Sequence, residues 1–407
     1  MSSISYVKNS IANREVKSGY GGVQKLSVKD YILLLPFFLV FIGDFQIGVG
    51  TSSITVPMSM AIILPIFLGY LVAGKLKFSR VPLLLFGVLF CGLLGFLFTP
   101  AASFLRTIAG SLPVLFSMLT VMIYEQYQLP CERAIKYILV GSFTLAIAVI
   151  ILFLISRSIA GGYYDQKLLI ETPLGRSNYL AAFLLFAFAL SLPVSTSASI
   201  VILVAIFCTL SRGGVLALIL FFATSLLLRV RRLWFYGCCI GLLLISVMLI
   251  FYSVPEDIIE YILQFLNLQD VDVNLDSVYS RLDLWSFGFD IFSENPVFGI
   301  GPNTFRTFIE MDGSIEDVWG VHNSLLLVLL NYGFFGLICY FAYIVIIYKQ
   351  VLIAERKNSN MFYLRCVFLV LMFFGFYEPL VGSAAFEMLL VLTYILAKSQ
   401  SYTSIRL

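Results

Sequence analysis

A single histidine is the residue best suited to act as a catalytic base in this sequence. His322 is the only histidine among the 407 residues, and it lies where a long polar stretch meets a hydrophobic run. Imidazole titrates near neutral pH, which suits a general base. The alternative is a structural histidine that caps a helix and takes no part in chemistry. Asn323 follows directly, and it either orients the ring or simply begins the helix.

Four arginines are candidates for binding an anion. A guanidinium group forms two parallel hydrogen bonds to phosphate or pyrophosphate. The alternatives for each arginine are an interfacial position, with the head group in water, or an ion pair with an acidic residue. The strongest candidate lies in a very short turn between two hydrophobic runs, where its side chain has little room to reach open water. That residue is Arg212, and the others are Arg157, Arg176 and Arg281.

Two further residues are candidates for contacting a bound sugar. Trp285 shares a predicted helix face with Arg281, which is a catalytic candidate, and Trp285 itself is a candidate for substrate binding. Glu378 lies between the last two predicted spans, where it binds a sugar hydroxyl, orients His322 or is a solvated turn residue. Asp44 and Glu387 fall inside predicted spans, where an unpaired charge is costly. We therefore expect each of these two to have a partner or to mark a misplaced span boundary.

The composition is that of a polytopic membrane protein. The chain is 60% hydrophobic and 12% charged, against about 45–50% and about 25% in soluble domains. The net charge of +3 gives no indication of nucleic-acid binding. The seven cysteines lie in or beside hydrophobic runs and show no Cys-x-x-Cys spacing, so neither a disulfide framework nor a metal site is expected. Residues 1–30 are polar and basic, unlike a cleavable signal peptide.

Hydrophobic runs of roughly 20 residues predict membrane-spanning helices. The predicted fold class is therefore an all-α polytopic membrane protein with about 12 transmembrane helices and one large extracytoplasmic loop that contains short helices. The predicted spans are 31–49, 53–74, 81–98, 103–124, 135–156, 177–193, 197–211, 213–229, 233–253, 322–348, 362–377 and 380–397.

The distribution of lysine and arginine predicts the orientation. Most of the 26 basic residues fall on the side of the N-terminus, so both termini are expected in the cytoplasm. The four candidate arginines fall on the other side, with His322. The predicted organisation is a cytoplasmic tail (1–30), a transmembrane bundle of about nine helices (31–253), a large extracytoplasmic loop (254–321), three C-terminal spans (322–398) and a cytoplasmic tail (399–407).

The large loop is acidic and is predicted to contain a surface helix over residues 277–293. Leu282, Trp285, Phe289 and Phe292 recur at helical spacing and form one apolar face, suited to lying on the membrane or on the bundle. Asn295-Pro296 is expected to end this helix. Residues 299–302 read Gly-Ile-Gly-Pro and predict a tight turn, and not a phosphate loop, because no strand precedes them.

At these residues the chain resembles the bacterial O-antigen polymerase and O-antigen ligase superfamily, over roughly residues 170–380. No single motif is specific, but the order, the spacing and the common side of the membrane all match. The matching motifs are Gly175-Arg176-Ser177-Asn178, Ser211-Arg212-Gly213-Gly214, Arg281-Leu282-x-x-Trp285, Glu294-Asn295-Pro296-x-x-Gly299-x-Gly301, His322-Asn323-Ser324 and Tyr332-Gly333-Phe334-Phe335-Gly336.

The resemblance implies a glycosyltransferase of the GT-C type that needs neither a metal nor another cofactor. Such enzymes take a glycan from undecaprenyl diphosphate at the periplasmic face of the bacterial inner membrane, in lipopolysaccharide and other polysaccharide biosynthesis. The acceptor is a second lipid-linked glycan or the lipid A core, and a chain-length regulator protein is a further candidate partner. By resemblance, His322 is the base, and Arg176, Arg212 and Arg281 hold the pyrophosphate and stabilise its charge as it leaves.

Three functions stay open at this point. Ligases of the superfamily carry a histidine near the arginine before the sixth span, whereas this chain has Ser177-Asn178 there, which favours a polymerase. A flippase or another transporter of polysaccharide precursors is the alternative from a different class. A transporter would place its charges near the middle of the bilayer, often with internal repeats. Here the candidate residues cluster on one side, which favours an enzyme over a transporter or a docking protein.

Overall fold

The structure is a computed structural model. It describes residues 27–49, 52–76, 78–100, 102–127, 129–159, 163–175, 177–229, 276–312, 321, 323–376 and 383–403. Its described part is almost entirely helical. Before residue 230 the elements are α1 (Val28–Leu39), β1 (Asp44–Val49), β2 (Ser52–Pro57), α2 (Met60–Val72), α3 (Arg80–Phe98), α4 (Phe104–Tyr124), α5 (Cys131–Ile159), α6 (Tyr163–Leu169), α7 (Ser177–Ser191), α8 (Thr196–Cys208) and α9 (Arg212–Arg229). After residue 275 they are α10 (Asp276–Glu294), α11 (Phe305–Asp312), α12 (Ser324–Lys357), a 3-10 turn (Ser359–Met361), α13 (Phe362–Phe374) and α14 (Ala384–Thr403).

Five of these helices are long and apolar enough to cross a membrane, namely α3, α4, α5, α9 and α12. Shorter apolar helices accompany them: α2, α7, α8 and the segment Ser359–Phe374. Together they support an integral membrane protein of the all-α class. The number of twelve spans stays a prediction, and the predicted span 233–253 lies outside the described residues.

The helix termini distinguish the two ends of the bundle. Basic residues end helices at one end, and a backbone hydrogen bond joins two helices at the other. At one end, Arg229 closes α9 and donates a hydrogen bond of 2.8 Å from a guanidinium nitrogen to the hydroxyl of Tyr363, at the start of α13. Lys357 closes α12 at this same end. At the other end, the backbone N–H of Ser324 donates to the carbonyl of Gly375 at 2.8 Å, which joins the start of α12 to the end of α13. We call this second end the site end.

Residues 31–74 do not form the two uninterrupted spans that hydropathy predicts. Helix α1 stops at Leu39, and an antiparallel hairpin of β1 and β2 follows before α2 begins. The predictions for 31–49 and 53–74 are therefore wrong over residues 44–49 and 53–57. Asp44 is the first residue of β1, so it marks a misplaced boundary, one of the two possibilities expected for a charge inside a predicted span.

Packing at Gly43 explains why the chain turns into a hairpin here. Gly43 has φ +119°, and a Cβ on it would lie 2.6 Å from the side chain of Pro173. Its carbonyl accepts from the N–H of Met58 at 3.0 Å, and the N–H of Asp44 donates to the carbonyl of Pro173 at 3.1 Å. These contacts join parts of the chain that are far apart in sequence, so a hydropathy average cannot detect them.

The helix predicted over residues 277–293 is present as α10, but its most deeply buried residues are not those of the predicted apolar face. Leu284, Gly288 and Ile291 face the protein, whereas Phe289 is 53% exposed. A Cβ on Gly288 would lie 3.2–3.4 Å from side-chain atoms of Val321 and of α12. The helix therefore approaches α12 most closely at Gly288, while Trp285 and Phe292 of the predicted apolar face pack against the same cluster of side chains.

Residues 296–303, which follow α10, insert between α3, α4 and α12, and we call them the wedge. Three glycines on these helices make room for it. A Cβ on Gly92 would lie 2.9 Å from the ring of Pro302, and one on Gly95 would lie 2.6 Å from the carbonyl oxygen of Phe298. A Cβ on Gly110 of α4 would lie 2.7 Å from the side chain of Asn303. The wedge is thus held by direct backbone contact along most of its length.

Helix α12 is kinked where the wedge meets it. Gly333 has φ +63° and ψ −167°, outside the helical region. The N–H of Phe334 donates to the carbonyl of Pro296 at 2.9 Å, and the N–H of Ile300 donates to the carbonyl of Leu330 at 2.7 Å. The wedge therefore satisfies backbone groups that the kink removes from the helix.

An ion pair attaches α11 to the outer part of α4. Arg106 donates two hydrogen bonds to the carboxylate of Glu310, at 2.8 and 3.2 Å, and Arg306 donates a third at 3.1 Å. The hydrogen bond from Arg106 is the main reason why the pKa of Glu310 is lowered. Both arginines thus have an acidic partner within the protein.

Substitution of Gly333 is expected to destabilise the protein. An alanine Cβ there would lie 2.4 Å from the carbonyl oxygen of Val297, in a backbone region that L residues rarely adopt. We expect Gly333→Ala to lower the thermal unfolding midpoint of the purified protein, at a cost of about 1–3 kcal/mol or more. Gly69→Ala is the matched control, because nothing lies within 4 Å of a Cβ at that position. Equal midpoints for the two variants would contradict this account of the kink.

Candidate functional site

The turn before α9 is built around Ser211. Leu210 adopts φ +53°, which is unusual for a residue other than glycine. The hydroxyl of Ser211 accepts from the N–H of Gly214 at 2.8 Å, which caps the new helix, and donates to the amide oxygen of Asn178 at 2.6 Å. Arg212 is the first residue of α9 and is exposed. The capping residue thereby fixes the backbone from which Arg212 projects.

The link to Asn178 joins this turn to the segment that contains Arg176. Arg176 itself lies outside the described residues. On its N-terminal side, Thr172 and Gly175 exchange two backbone hydrogen bonds of 2.8 and 3.2 Å, which close a turn. On its C-terminal side, Ser177 begins α7 and is buried. The structure therefore brings the residues that flank Arg176 next to the turn of Arg212.

A second contact joins the turn of Arg212 to the start of α12. A Cβ on Gly213 would lie 2.8 Å from the ring of Phe374, so α9 and the end of α13 meet at this glycine. The next residue, Gly375, accepts the N–H of Ser324. The contact of Gly213 with Phe374 and the hydrogen bond of Gly375 with Ser324 thus connect the turn of Arg212 with the residues that follow His322.

His322 lies outside the described residues, but the backbone on both sides of it is fixed. Before it, the carbonyl of Val321 accepts from the indole N–H of Trp285 at 2.7 Å. After it, the amide oxygen of Asn323 accepts from the N–H of Leu326 at 3.0 Å and caps α12. The predicted base therefore stands between two residues that hydrogen bonds hold in place.

These contacts restrict what two of the predicted binding residues can do. The indole N–H of Trp285 is engaged by Val321, and because it is the only hydrogen-bond donor of that side chain, a sugar could meet only the ring. The amide oxygen of Asn323 is engaged in the cap, which agrees with the helix-start alternative. Substrate binding by Trp285 and Asn323 stays a prediction.

The structure describes less of the surroundings of the remaining candidates, Arg281, Glu378 and Arg157. Arg281 lies one turn before Trp285 in α10, but its side chain is not among those described. Glu378 lies outside the described residues. Arg157 lies in the last turn of α5 and is exposed. The described residues contain no group of three His, Cys, Asp or Glu side chains that could hold a metal ion.

Sequence reasoning missed two residues that organise this site. Ser211 belongs to one of the matching motifs, and a serine directly before a helical run is a typical capping signal that could have identified its role. Gly375 belongs to none of the motifs. Its contact with Ser324 spans 51 residues of sequence, and no local pattern predicts it.

A comparison with known protein families finds a match that covers part of this region. Residues 197–341 match the family model for O-antigen ligase. The resemblance predicted from the sequence is confirmed. No curated protein matches the chain. The matched region contains Arg212, α10, the wedge and the start of α12, and it leaves out Arg157, Arg176 and Glu378. The O-antigen ligase match supports a role in polysaccharide biosynthesis.

The cap at Ser211 gives a test of how this site is held. Ser211→Ala removes both the cap of α9 and the bond to Asn178, so we expect a lower thermal unfolding midpoint, with a cost of about 1–2 kcal/mol. Ser195→Ala is the matched control, because Ser195 caps α8 through a longer bond of 3.3 Å in a partly buried position. A smaller effect at Ser211 than at Ser195 would contradict the proposed link between the two turns.

Proposed function

We propose that this protein polymerises undecaprenyl-diphosphate-linked oligosaccharide repeat units, of O-antigen or a related surface polysaccharide, at the periplasmic face of the inner membrane. The family match supports the general class of reaction, in which a lipid-linked glycan is transferred to an acceptor hydroxyl. The proposed localisation and orientation rest on the distribution of basic residues and on the apolar helices.

One observation carries this proposal. Contacts run from Asn178 to Ser211, from Gly213 to Phe374 and from Gly375 to Ser324. The residues that flank Arg176 and His322 are thereby linked to the turn of Arg212, although the three positions are far apart in sequence. A phosphate-binding group and a base at one end of a helical bundle are what transfer from a lipid diphosphate requires.

The proposed reaction is a displacement at the anomeric carbon of the donor glycan. His322 accepts the proton of the acceptor hydroxyl as its oxygen attacks that carbon. The bond to the diphosphate breaks, and undecaprenyl diphosphate leaves with the electron pair. Arg176, Arg212 and Arg281 stabilise the negative charge that grows on the leaving group. Positioning and charge stabilisation carry most of this reaction.

Ligation of the glycan to the lipid A core is the second candidate. The description of the matching family model favours it. Against it, no histidine lies near Arg176, where ligases of the superfamily carry one, and Asn178 is committed to the bond with Ser211. We therefore place polymerisation first.

A deletion strain separates these functions and also tests transport. If the protein is a polymerase, single repeat units remain on the lipid A core. If it is a ligase, polymer accumulates on undecaprenyl diphosphate. Retention of precursors on the cytoplasmic side would instead indicate a transporter and would contradict the enzymatic proposal.

His322→Ala is expected to abolish glycan transfer, with a loss of about 10²–10⁴-fold, because it removes the group that is proposed to accept the proton of the acceptor. The measurement is polymer formation from purified lipid-linked repeat units in proteoliposomes. The amount of the variant in the membrane serves as the control for insertion. Full activity of a properly inserted His322→Ala protein would remove this residue as the base.

Arg212→Ala and Arg281→Ala are each expected to weaken use of the lipid donor by about 10- to 100-fold, the value of a charge-assisted hydrogen bond. The kinetics are measured as a function of donor concentration. Arg306→Ala is the matched control, because Arg306 is exposed and forms an ion pair with Glu310. Donor kinetics that are unaltered in both variants would exclude the pyrophosphate assignment.

A further inference from the structure

The two acidic residues that fall inside predicted spans, Asp44 and Glu387, differ in their surroundings. Glu387 is fully buried in α14, and its carboxyl group accepts a hydrogen bond of 2.8 Å from the hydroxyl of Tyr340. The carboxyl group of Asp44 forms no hydrogen bond or ion pair with any of the described residues. Burial nevertheless raises the pKa of Asp44 to about 6. Asp44 therefore carries a desolvation cost that no contact within the described part of the chain offsets.

The hairpin places a second polar side chain on the same face as Asp44. In the pairing of β1 with β2, Asp44 lies opposite Pro57, and Thr55 lies two residues before Pro57. Side chains two residues apart in a strand point to the same face, so Asp44 and Thr55 share one. Both are half-buried. A carboxyl group and a hydroxyl group thus lie together on one face of the hairpin.

Contacts on both sides of Gly43 hold Asp44 beside the segment that enters α7. The backbone N–H of Asp44 donates to the carbonyl of Pro173 at 3.1 Å. Just before the hairpin, the ring of Phe41 meets the ring of Phe183 on α7 edge to face, with centroids 5.6 Å apart. The start of β1 is therefore at the end of the bundle where α7 begins, which is the site end.

The segment that contacts Asp44 is also in contact with the start of α7. A Cβ on Gly175 would lie 3.5 Å from the ring of Tyr179. The residue before this tyrosine is Asn178, whose amide oxygen accepts from the hydroxyl of Ser211 at 2.6 Å. Contacts among described residues therefore lead from Asp44 to the turn that begins α9.

The chemistry of this position suits a ligand rich in hydroxyl groups. A carboxylate has two oxygens and accepts hydrogen bonds from more than one hydroxyl at once. It repels the negative charge of a phosphate group. In a lipid-linked glycan the first sugar is attached directly to the diphosphate, so groups beside the proposed diphosphate site are placed to meet a sugar. The part of the donor that fits Asp44 is therefore the glycan and not the diphosphate.

We propose that Asp44 is a substrate-binding residue that accepts hydrogen bonds from hydroxyl groups of the donor glycan. The inference rests on the proposed function and adds to it a contact from the N-terminal hairpin. The hairpin lies outside the region that the family model matches, residues 197–341. Its role is to carry a sugar-binding group to the same end of the bundle as the turn of Arg212.

Binding to the full chain in nanodiscs tests this inference with two ligands. One is a purified lipid-linked repeat unit, and the other is undecaprenyl diphosphate, which carries no sugar. Asp44→Ala should weaken binding of the repeat unit about tenfold, because hydrogen bonds to a charged group are lost. Its affinity for undecaprenyl diphosphate should stay within about twofold of the original. Asp44→Asn keeps one acceptor oxygen and should give an intermediate value.

A matched control and two further measurements separate binding from other roles. Asp290→Asn removes an exposed carboxylate from α10 and should leave both affinities unchanged. Asp44→Asn should keep or raise the thermal unfolding midpoint, because the protein no longer buries a carboxyl group without a partner. In proteoliposomes, the KM of Asp44→Ala for the repeat unit should rise while kcat stays within about threefold.

Equal affinities of Asp44→Ala and the original protein for the repeat unit would overturn the assignment. An equal loss for undecaprenyl diphosphate would place Asp44 at the diphosphate, and a fall in kcat alone would place it in the chemical step; either result would also overturn it. If Asp44→Ala does not insert, Asp44→Asn decides by the same comparison. Binding of the repeat unit without polymer formation by the original protein would count against the proposed function alone. Failure of the original protein to bind the repeat unit would overturn both.

Discussion

The site end depends on two backbone hydrogen bonds between the wedge and the kink of α12. The N–H of Ile300 reaches the carbonyl of Leu330, and the N–H of Phe334 reaches the carbonyl of Pro296. If α12 were regular through Gly333, the carbonyl of Leu330 and the N–H of Phe334 would form hydrogen bonds within the helix and could not bond the wedge. Because the wedge follows α10 directly, these bonds also fix α10 against α12. Trp285 can then reach the carbonyl of Val321, one residue before His322.

Most of the contacts that hold the candidate site together are made at helix ends. Ser211 and Asn323 each cap a helix, and Gly375 ends a third one while it accepts a backbone N–H from the second. Helix starts present backbone N–H groups and a positive dipole end, which favours anions. The arrangement suits the binding of a diphosphate, and it leaves the acidic charges of the large loop to pair elsewhere, as Glu310 does with Arg106.

Local patterns were enough to predict part of this architecture. The helix α10, its end at Asn295-Pro296 and the helix start at Asn323 all follow from capping and breaking signals. The buried face of α10 does not, because contact with Val321 and α12 at Gly288 decides it. The hairpin after Gly43 was not predicted either, because it also depends on a contact between residues that are distant in sequence. Its hydrophobicity resembles that of a helix, and its cause is a contact with Pro173.

The separation in sequence between the wedge and its partners determines when the site can form. Gly95 contacts Phe298, and Arg106 pairs with Glu310 across 204 residues. During synthesis, α3 and α4 are therefore made about 200 residues before the wedge and Glu310, which contact them. Gly375 closes the arrangement only after α13 is complete. The region that we propose for catalysis can thus assemble only after α13 has been synthesised, when α14 is the described helix still to follow.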